Sequence, residues 1–466
     1  MTCKAPPRVT VVGGGLAGSE AAWQLASRGY LVDLYEMRPA KSSPAHATGD
    51  LAELVCSNSL GADKPDSPAG ILKQELRRLN SLIIRCAERT RVPAGGALAV
   101  DREGFAALVT EEIGACPSIR LIREELAEIP CGPCILAAGP LMSGAIARVI
   151  RELAGEEYLS FFDAAAPIVT LESVDEGACF CAGRYGRGDD YINCPLNEEE
   201  YAAFVRALCD AERAPLHEAD FWDAPVDESA KKRRYFEGCL PVEVMASRGA
   251  DTLRFGPMRP VGLPDPRTGR EPYALVQLRR DNASGTLYNL VGFQTNLRWG
   301  EQERVFRLIP ALRGAEFVRK GVMHRNAFVC APRVLDRHMR PKLGGLAARR
   351  DLFLAGQITG VEGYTESTAS GLAVAFCMAA VLSGRADSGL PEWPRETAIG
   401  SLLHYLNTAE PETFQPMNVN LGIFPPLPPA PGKKKKIPKQ ERSRLFAERS
   451  LEALEVFLTE WAELPG

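Results

Sequence analysis

Two kinds of residue in this chain have the type and spacing to do chemistry: a glycine run near the amino terminus, and thiols set in polar, punctuated loops. The run Gly13-Gly14-Gly15-Leu16-Ala17-Gly18 follows a β-branched stretch, Val9 to Val12, and leads into a helical stretch, Ser19 to Ser27, that stops at Arg28-Gly29. Gly13 allows a sharp turn, Gly15 lets backbone approach a pyrophosphate, and Gly18 permits close packing of helix on strand, while the first N–H groups of the helix face the phosphates. Leu31 to Tyr35 reads as the next buried strand and closes on Glu36, an acid placed to accept hydrogen bonds from ribose hydroxyls. Strand, glycine turn, helix and strand together form a dinucleotide-binding unit. NAD(P) is the competing ligand. FAD is favoured because the unit opens the chain and because Leu354-Ala355-Gly356 looks like the second flavin segment of flavoproteins with two dinucleotide folds.

The thiols divide by setting. Cys86, Cys209 and Cys377 sit in apolar helical surroundings and read as small buried hydrophobes. Cys131-Gly132-Pro133-Cys134 has redox spacing, but it precedes a strand and opens no helix, so it reads as a turn. No pair of such motifs with histidine partners occurs, so no zinc site is expected. Cys56 lies in a loop of small residues, Leu54-Val55-Cys56-Ser57-Asn58-Ser59. Cys239 follows Lys231-Lys232-Arg233-Arg234 and precedes Pro241, which suits the first position of a helix expected from Val242 to Ser247. A helix amino terminus and a basic run both favour thiolate where geometry brings them close. Residue type alone leaves both cysteines open between a structural and a catalytic role.

The elements that must position these groups spread over 466 residues of ordinary globular composition, enough for two or three domains. A formal net charge of −4 argues against wholesale wrapping of nucleic acid, so any polyanion must be met at a patch. Candidate patches are Lys231 to Arg234, Arg184 with Arg187, and Lys433 to Lys436. The amino terminus has no signal-peptide pattern, and the longest apolar run, Leu372 to Leu382, falls short of the roughly 20 residues that cross a bilayer. A cytoplasmic protein with no membrane partner is expected. A helix is expected from Gly70 to Cys86. Cys134 to Ala138 and Leu352 to Leu354 read as strands delivering backbone to a nucleotide at their carboxyl ends. From about Pro167 to Arg325 the texture changes to shorter β-like runs with Gly and Pro punctuation. The expected fold is therefore α/β, a Rossmann-like FAD-binding domain over 1–166 and 326–466 with an inserted α+β domain over 167–325. The last part carries a Pro-rich loop and an amphipathic helix, Gln440 to Phe457.

The segments Gly13 to Glu20, Ala52 to Leu60, Val92 to Glu103, Arg184 to Pro195, Phe236 to Glu243, Phe255 to Asp265, Val322 to Asn326, Gly360 to Gly371 and Phe414 to Asn418 carry a resemblance. In that order, over nearly the whole chain, they resemble the folate- and FAD-dependent tRNA (uracil-5-)-methyltransferase family, TrmFO. The resemblance implies methylation of the T-loop uridine at tRNA position 54, with methylenetetrahydrofolate as carbon donor, reduced FAD as hydride source and NAD(P)H as reductant. It also implies roles for the thiols. Uracil C5 is a poor nucleophile until a thiolate adds to C6, which Cys239 is matched to do, and a base must then take the C5 proton, which Cys56 is matched to do. His324 is placed to stack on or hydrogen-bond a pterin, or is structural; His46 is the weaker candidate. Tyr364 would cover the isoalloxazine or pterin, or is a core tyrosine, and Gly356, Glu362 and Gly363 belong to the same cofactor wall. The alternatives are a small-molecule flavin oxidoreductase, the flavoprotein that modifies the tRNA wobble uridine, and a tRNA-binding flavoprotein without catalysis.

Overall fold

The computed structural model describes residues 8–43, 45–155, 158–214, 240–321, 323–343, 346–385, 387–428 and 437–463. Its organising element is a five-stranded parallel sheet in the order Leu352–Leu354, Cys134–Leu136, Arg8–Val12, Leu31–Tyr35, Ile119–Ile122. Val9, Val11, Leu34, Ile135 and Phe353 are wholly buried, as expected of strands covered on both faces. The chain moves from the Arg8–Val12 strand to one side and later returns to the other, so a crevice opens at the carboxyl ends of Arg8–Val12 and Cys134–Leu136.

The first helix runs Leu16–Ala26, starting earlier than its apolar pattern suggests because Gly15 is its cap residue. It packs tightly on the longer helix Tyr364–Leu382, where a Cβ on Gly371 would fall 2.1 Å from the Ala17 carbonyl oxygen, and on its own preceding turn, where one on Gly18 would fall 1.8 Å from the Gly13 carbonyl oxygen. Tyr364–Leu382 is apolar and long enough to cross a membrane by length and composition; here Thr365 to Ala380 are buried in the core. The single helix expected over 70–86 is instead two, Pro68–Arg78 and Leu82–Arg89. Asn80 between them takes a left-handed φ of 53°, and the Ser81 hydroxyl accepts the Ile84 N–H to start the second. Pro241 also departs from expectation, standing at the cap position before Val242–Ser247 instead of at its first turn. The terminal helix extends past both expected ends, over Lys439–Glu463.

A two-stranded ribbon, Tyr158–Ala164 against Met323–Val329, carries the chain out to a second sheet and back. That sheet is antiparallel, six strands in the order Phe180–Cys181, Tyr191–Leu196, Ala274–Arg280, Leu287–Leu290, Ile168–Thr170, Phe317–Arg319. Strand alternation sends Ile192, Cys194, Val276 and Leu278 into a separate core with Phe204 and Phe293. Their neighbours Asn193, Gln277 and Arg279 lie on the other face, where the Gln277 amide donates to Asn193 Oδ1 at 3.0 Å and Arg279 reaches the first unit.

Candidate active site

A cleft of about 1120 Å³ of empty space, mouth included, opens where the parallel strands end. The glycine turn forms its floor; Gly13, Gly15, Leu16 and Ala17 line it with Glu36, Gly139, Gly356 and Tyr364. Gly14 stands behind, its N–H donating to Glu36 Oε2 at 2.9 Å, while the other carboxylate oxygen accepts from Arg38 Nε at 2.9 Å. Burial pushes the Glu36 carboxyl up, but Arg38 and the Gly14 N–H outweigh it and hold it below its usual value. No described side chain caps the first helix, whose N-terminal N–H groups therefore face the cleft. A Cβ on Gly15 would meet no protein atom within 4 Å, so the space left by the missing side chain belongs to the cleft. The residues fit an FAD: an open glycine floor, unpaired helix N–H groups and an acid fixed at the end of the next strand. Gly15→Val should leave the fold intact and weaken flavin retention roughly tenfold to a hundredfold, read as flavin absorbance per protein after dialysis.

Cys56 stands at the cleft's edge, half-buried. Its loop is tied to the glycine turn by the Ala52 N–H, which donates to the Gly14 carbonyl at 2.9 Å. The Tyr364 hydroxyl oxygen accepts the backbone N–H groups of Cys56 at 3.0 Å and Ser57 at 3.3 Å, and lies 3.0 Å from Cys56 Sγ. With its lone pairs occupied by those donors, the hydroxyl has its proton to give to the sulfur, which favours the sulfur's anionic form. Burial and then the neighbouring Cys56 push the Tyr364 phenol well above its usual value, so it keeps that proton.

Three arginines hold the same loop, Arg102 and Arg279 buried and Arg319 half-buried. Arg102 Nη1 donates to the carbonyls of Leu54 at 2.5 Å and Val55 at 3.2 Å, and its other nitrogens grip Asp281 of the second unit. Arg319 Nη2 donates to Val55 O at 3.1 Å. Arg279 donates to Asn58 Oδ1 at 3.0 Å and Ser57 Oγ at 2.8 Å. Burial pulls the guanidinium of Arg279 down, as it does that of Arg319, where Arg102's charge adds to the effect. The result is a thiol flanked by a phenol proton and surplus positive charge, an environment for an anionic sulfur. Arg279 and Arg319 carry no sequence signal, and Arg102, though within the Val92 to Glu103 segment of the resemblance, has no local pattern that marks its role, because the partners of all three come from segments far apart in the chain.

The other expected residues fall as follows. Glu362 lies behind the cleft wall, its carboxylate accepting from Gln357, which does line the cleft; Gly363 caps the Tyr364 helix. His46 lines both this cleft and a second groove that includes Ala165, Trp299 and Lys320, and its ring nitrogen is 2.7 Å from Ser43 Oγ. His324 is in the ribbon opposite Asp163, and its side chain lies outside the described residues. Cys239, Lys231 to Arg234 and Lys433 to Lys436 also lie outside them. The Cys131–Cys134 segment is a turn with Gly132 at φ 88°, and burial pushes the Cys134 thiol up to about 12.

Residues 8–386 match the family described as glucose inhibited division protein A. The chain is 58% identical over 447 residues to the methylenetetrahydrofolate–tRNA-(uracil-5-)-methyltransferase TrmFO of Moorella thermoacetica, covering 96% of this chain and 97% of the relative. It is 55% identical to the enzyme of the same name from Desulforudis audaxviator, over 98% and 99%. Among solved structures, GidA of Aquifex aeolicus superposes with a TM-score of 0.63 at 15% identity, over 97% of this chain and 76% of that one, a likeness of fold.

Proposed function

The chain belongs to the glucose inhibited division protein A family and, within it, to the TrmFO methyltransferases, and from that premise we propose the roles of its two thiols. The enzyme uses methylenetetrahydrofolate and FAD to methylate uracil C5 in tRNA. We take the target to be the T-loop uridine at position 54, NADH or NADPH to be the reductant, the cytoplasm to be the place of action, and 167–325 to be the inserted unit. When bound, the reduced flavin supplies the hydride that completes the methyl group.

In this proposal the Cys239 thiolate adds its electron pair to C6 of the uracil, and the displaced C5–C6 pair becomes an enolate that attacks the one-carbon unit. The segment after Cys239 supports this placement. Leu240 is buried, and the Val242 N–H is anchored on Gln294 O at 2.7 Å. The neighbouring Thr295 N–H donates to Ala165 O, and Ala165 lines the groove that shares His46 and Val55 with the flavin cleft. Once C5 carries its new carbon, Cys56 takes the C5 proton; the pair left on C5 releases the carbon's former carrier, and as hydride completes the methyl group the C5–C6 double bond re-forms and expels Cys239 as thiolate. The observation that carries this reading is the 3.0 Å contact of Cys56 Sγ with the Tyr364 hydroxyl, whose oxygen already accepts two backbone N–H groups, at the rim of a dinucleotide cleft.

Methyl transfer to a T-arm transcript, dependent on both methylenetetrahydrofolate and NAD(P)H, tests the whole reading. Tyr364→Phe tests the dyad. Loss of a hydrogen bond to a charged group should lower kcat roughly tenfold to a hundredfold with the KM for tRNA unchanged. The pH profile of Cys56 alkylation, followed by peptide mass spectrometry, should move to higher pH because the anion has lost its donor.

A further inference from the structure

At the outer end of the second sheet, the turn Arg184–Gly186 folds against the end of the short helix Thr252–Phe255 and the loop over 256–262, and builds a surface that the proposed chemistry does not use. Two of its side chains are the most exposed aromatics among the described residues, Phe255 at 80% and Tyr185 at 66%. Tyr185 is held there against preference: its φ of 59° is left-handed, a conformation L side chains rarely adopt. Its N–H is fixed on Gly262 O at 2.8 Å, and its ring lies so close to Gly262 that a Cβ there would fall 2.7 Å from it.

Arginines gather around these rings. Arg184 is pinned by neutral acceptors, the carbonyls of Val261 at 2.7 Å and Arg259 at 2.8 Å and the Gln277 amide oxygen at 3.2 Å. Arg187 and Arg259 are exposed. Of the nearby acids, Asp251 pairs with Arg254, Asp265 pairs with Arg267 and Asp190 accepts the Gly95 N–H, while Glu271 accepts the Gly262 N–H within the patch and Asp189 is exposed in the adjoining turn. Among the described residues, no carboxylate is within ion-pairing distance of Arg184, Arg187 or Arg259. Burial and then Arg259's charge pull the Arg184 guanidinium down, and Glu271 only partly opposes them. Gln277, which anchors Arg184, stands two residues, about 7 Å, along one strand face from Arg279, which holds Ser57 beside Cys56. The patch and the thiol loop therefore share one polar face.

Resting on the tRNA-methylation reading, we propose that this surface is an RNA-docking site. Arg187 and Arg259 contact backbone phosphates of the substrate tRNA, and Phe255 stacks on an unpaired base, while the target uridine occupies the cleft. Cations outside ion pairs beside solvent-facing rings are the combination that single-stranded and looped RNA recognises.

The test uses the full-length, flavin-loaded enzyme and a tRNA transcript in a salt series. Arg187→Gln combined with Arg259→Gln should weaken tRNA binding and reduce the slope of log Kd against log salt by about 1.4 to 1.8, two phosphate contacts' worth. Phe255→Ala should weaken binding roughly tenfold with the slope unchanged. Both variants should keep the parent's flavin content and its kcat at saturating tRNA. If the parent binds and methylates tRNA while both variants share its Kd and slope, the surface is not the docking site. If the parent itself neither binds nor methylates tRNA, the functional reading fails and this one with it.

Discussion

Cys56→Ala enzyme is expected to keep its yellow colour and its affinity for tRNA, yet to lose methyl transfer by a factor of roughly 10² to 10⁴, the contribution of a positioned general base. The expectation follows from where the sulfur stands. Its loop is held from below by the Gly14 carbonyl, from the side by Arg102, Arg279 and Arg319, and from the cleft by the Tyr364 hydroxyl, which accepts the Cys56 and Ser57 backbone N–H groups. Removing one sulfur atom leaves those contacts intact, so binding survives while proton transfer does not. The uridine should then remain attached through C6 after its methylene unit has been delivered, and enzyme-linked RNA should accumulate under turnover conditions. Quantifying methylated uridine and enzyme-linked RNA in the same samples checks both halves of the expectation.

Arg102→Ala should act on stability. Arg102 and Asp281 are buried together, with Arg102 bridging two carbonyls of the thiol loop and the carboxylate of the second unit. Burial pulls its guanidinium down, but Asp281 outweighs burial and holds it above its usual value, so the pair is charged in the fold. Truncation strands a buried carboxylate and frees two carbonyls, which costs about 3 to 5 kcal/mol. Urea unfolding of the flavin-loaded enzyme should show a loss of that size. Arg102→Lys should recover only part of it, because a point charge cannot span Asp281 and the two carbonyls at once. A variant as stable as the parent would mean that the pair is not what joins the two units.

Most of the parallel sheet is readable in the sequence because its inner strands, buried on both faces, show as short, largely apolar runs; the edge strand Ile119–Ile122, with Arg120 exposed, shows no such run. Leu31–Tyr35 and Leu352–Leu354 occupy the residues their pattern marks. The helix break at Asn80-Ser81 is also written there, as a residue tolerant of left-handed backbone followed by a cap, but the Leu and Arg periodicity over 70–86 outweighs it. Tyr364 is harder. Its position in a glycine-rich segment points to a cofactor wall or to a core, and neither reading foresees that its hydroxyl ends on Cys56, 308 positions earlier. The arginine clamp lies beyond local pattern altogether. Arg279 alternates with apolar neighbours as a solvent-facing strand residue would, and only the docking of that face onto the Leu54–Asn58 loop gives it buried partners.

The division of labour between the thiols is tested most directly by T-arm RNA carrying 5-fluorouridine, whose C5 fluorine cannot leave as a proton and so should hold the enzyme at the C6-linked stage. Denaturing electrophoresis and peptide mass spectrometry should find the covalent adduct in the parent and in Cys56→Ala, attached at Cys239, and none in Cys239→Ala. An adduct that persists in Cys239→Ala and disappears in Cys56→Ala would make the clamped, tyrosine-bound sulfur the nucleophile and contradict its role as the base.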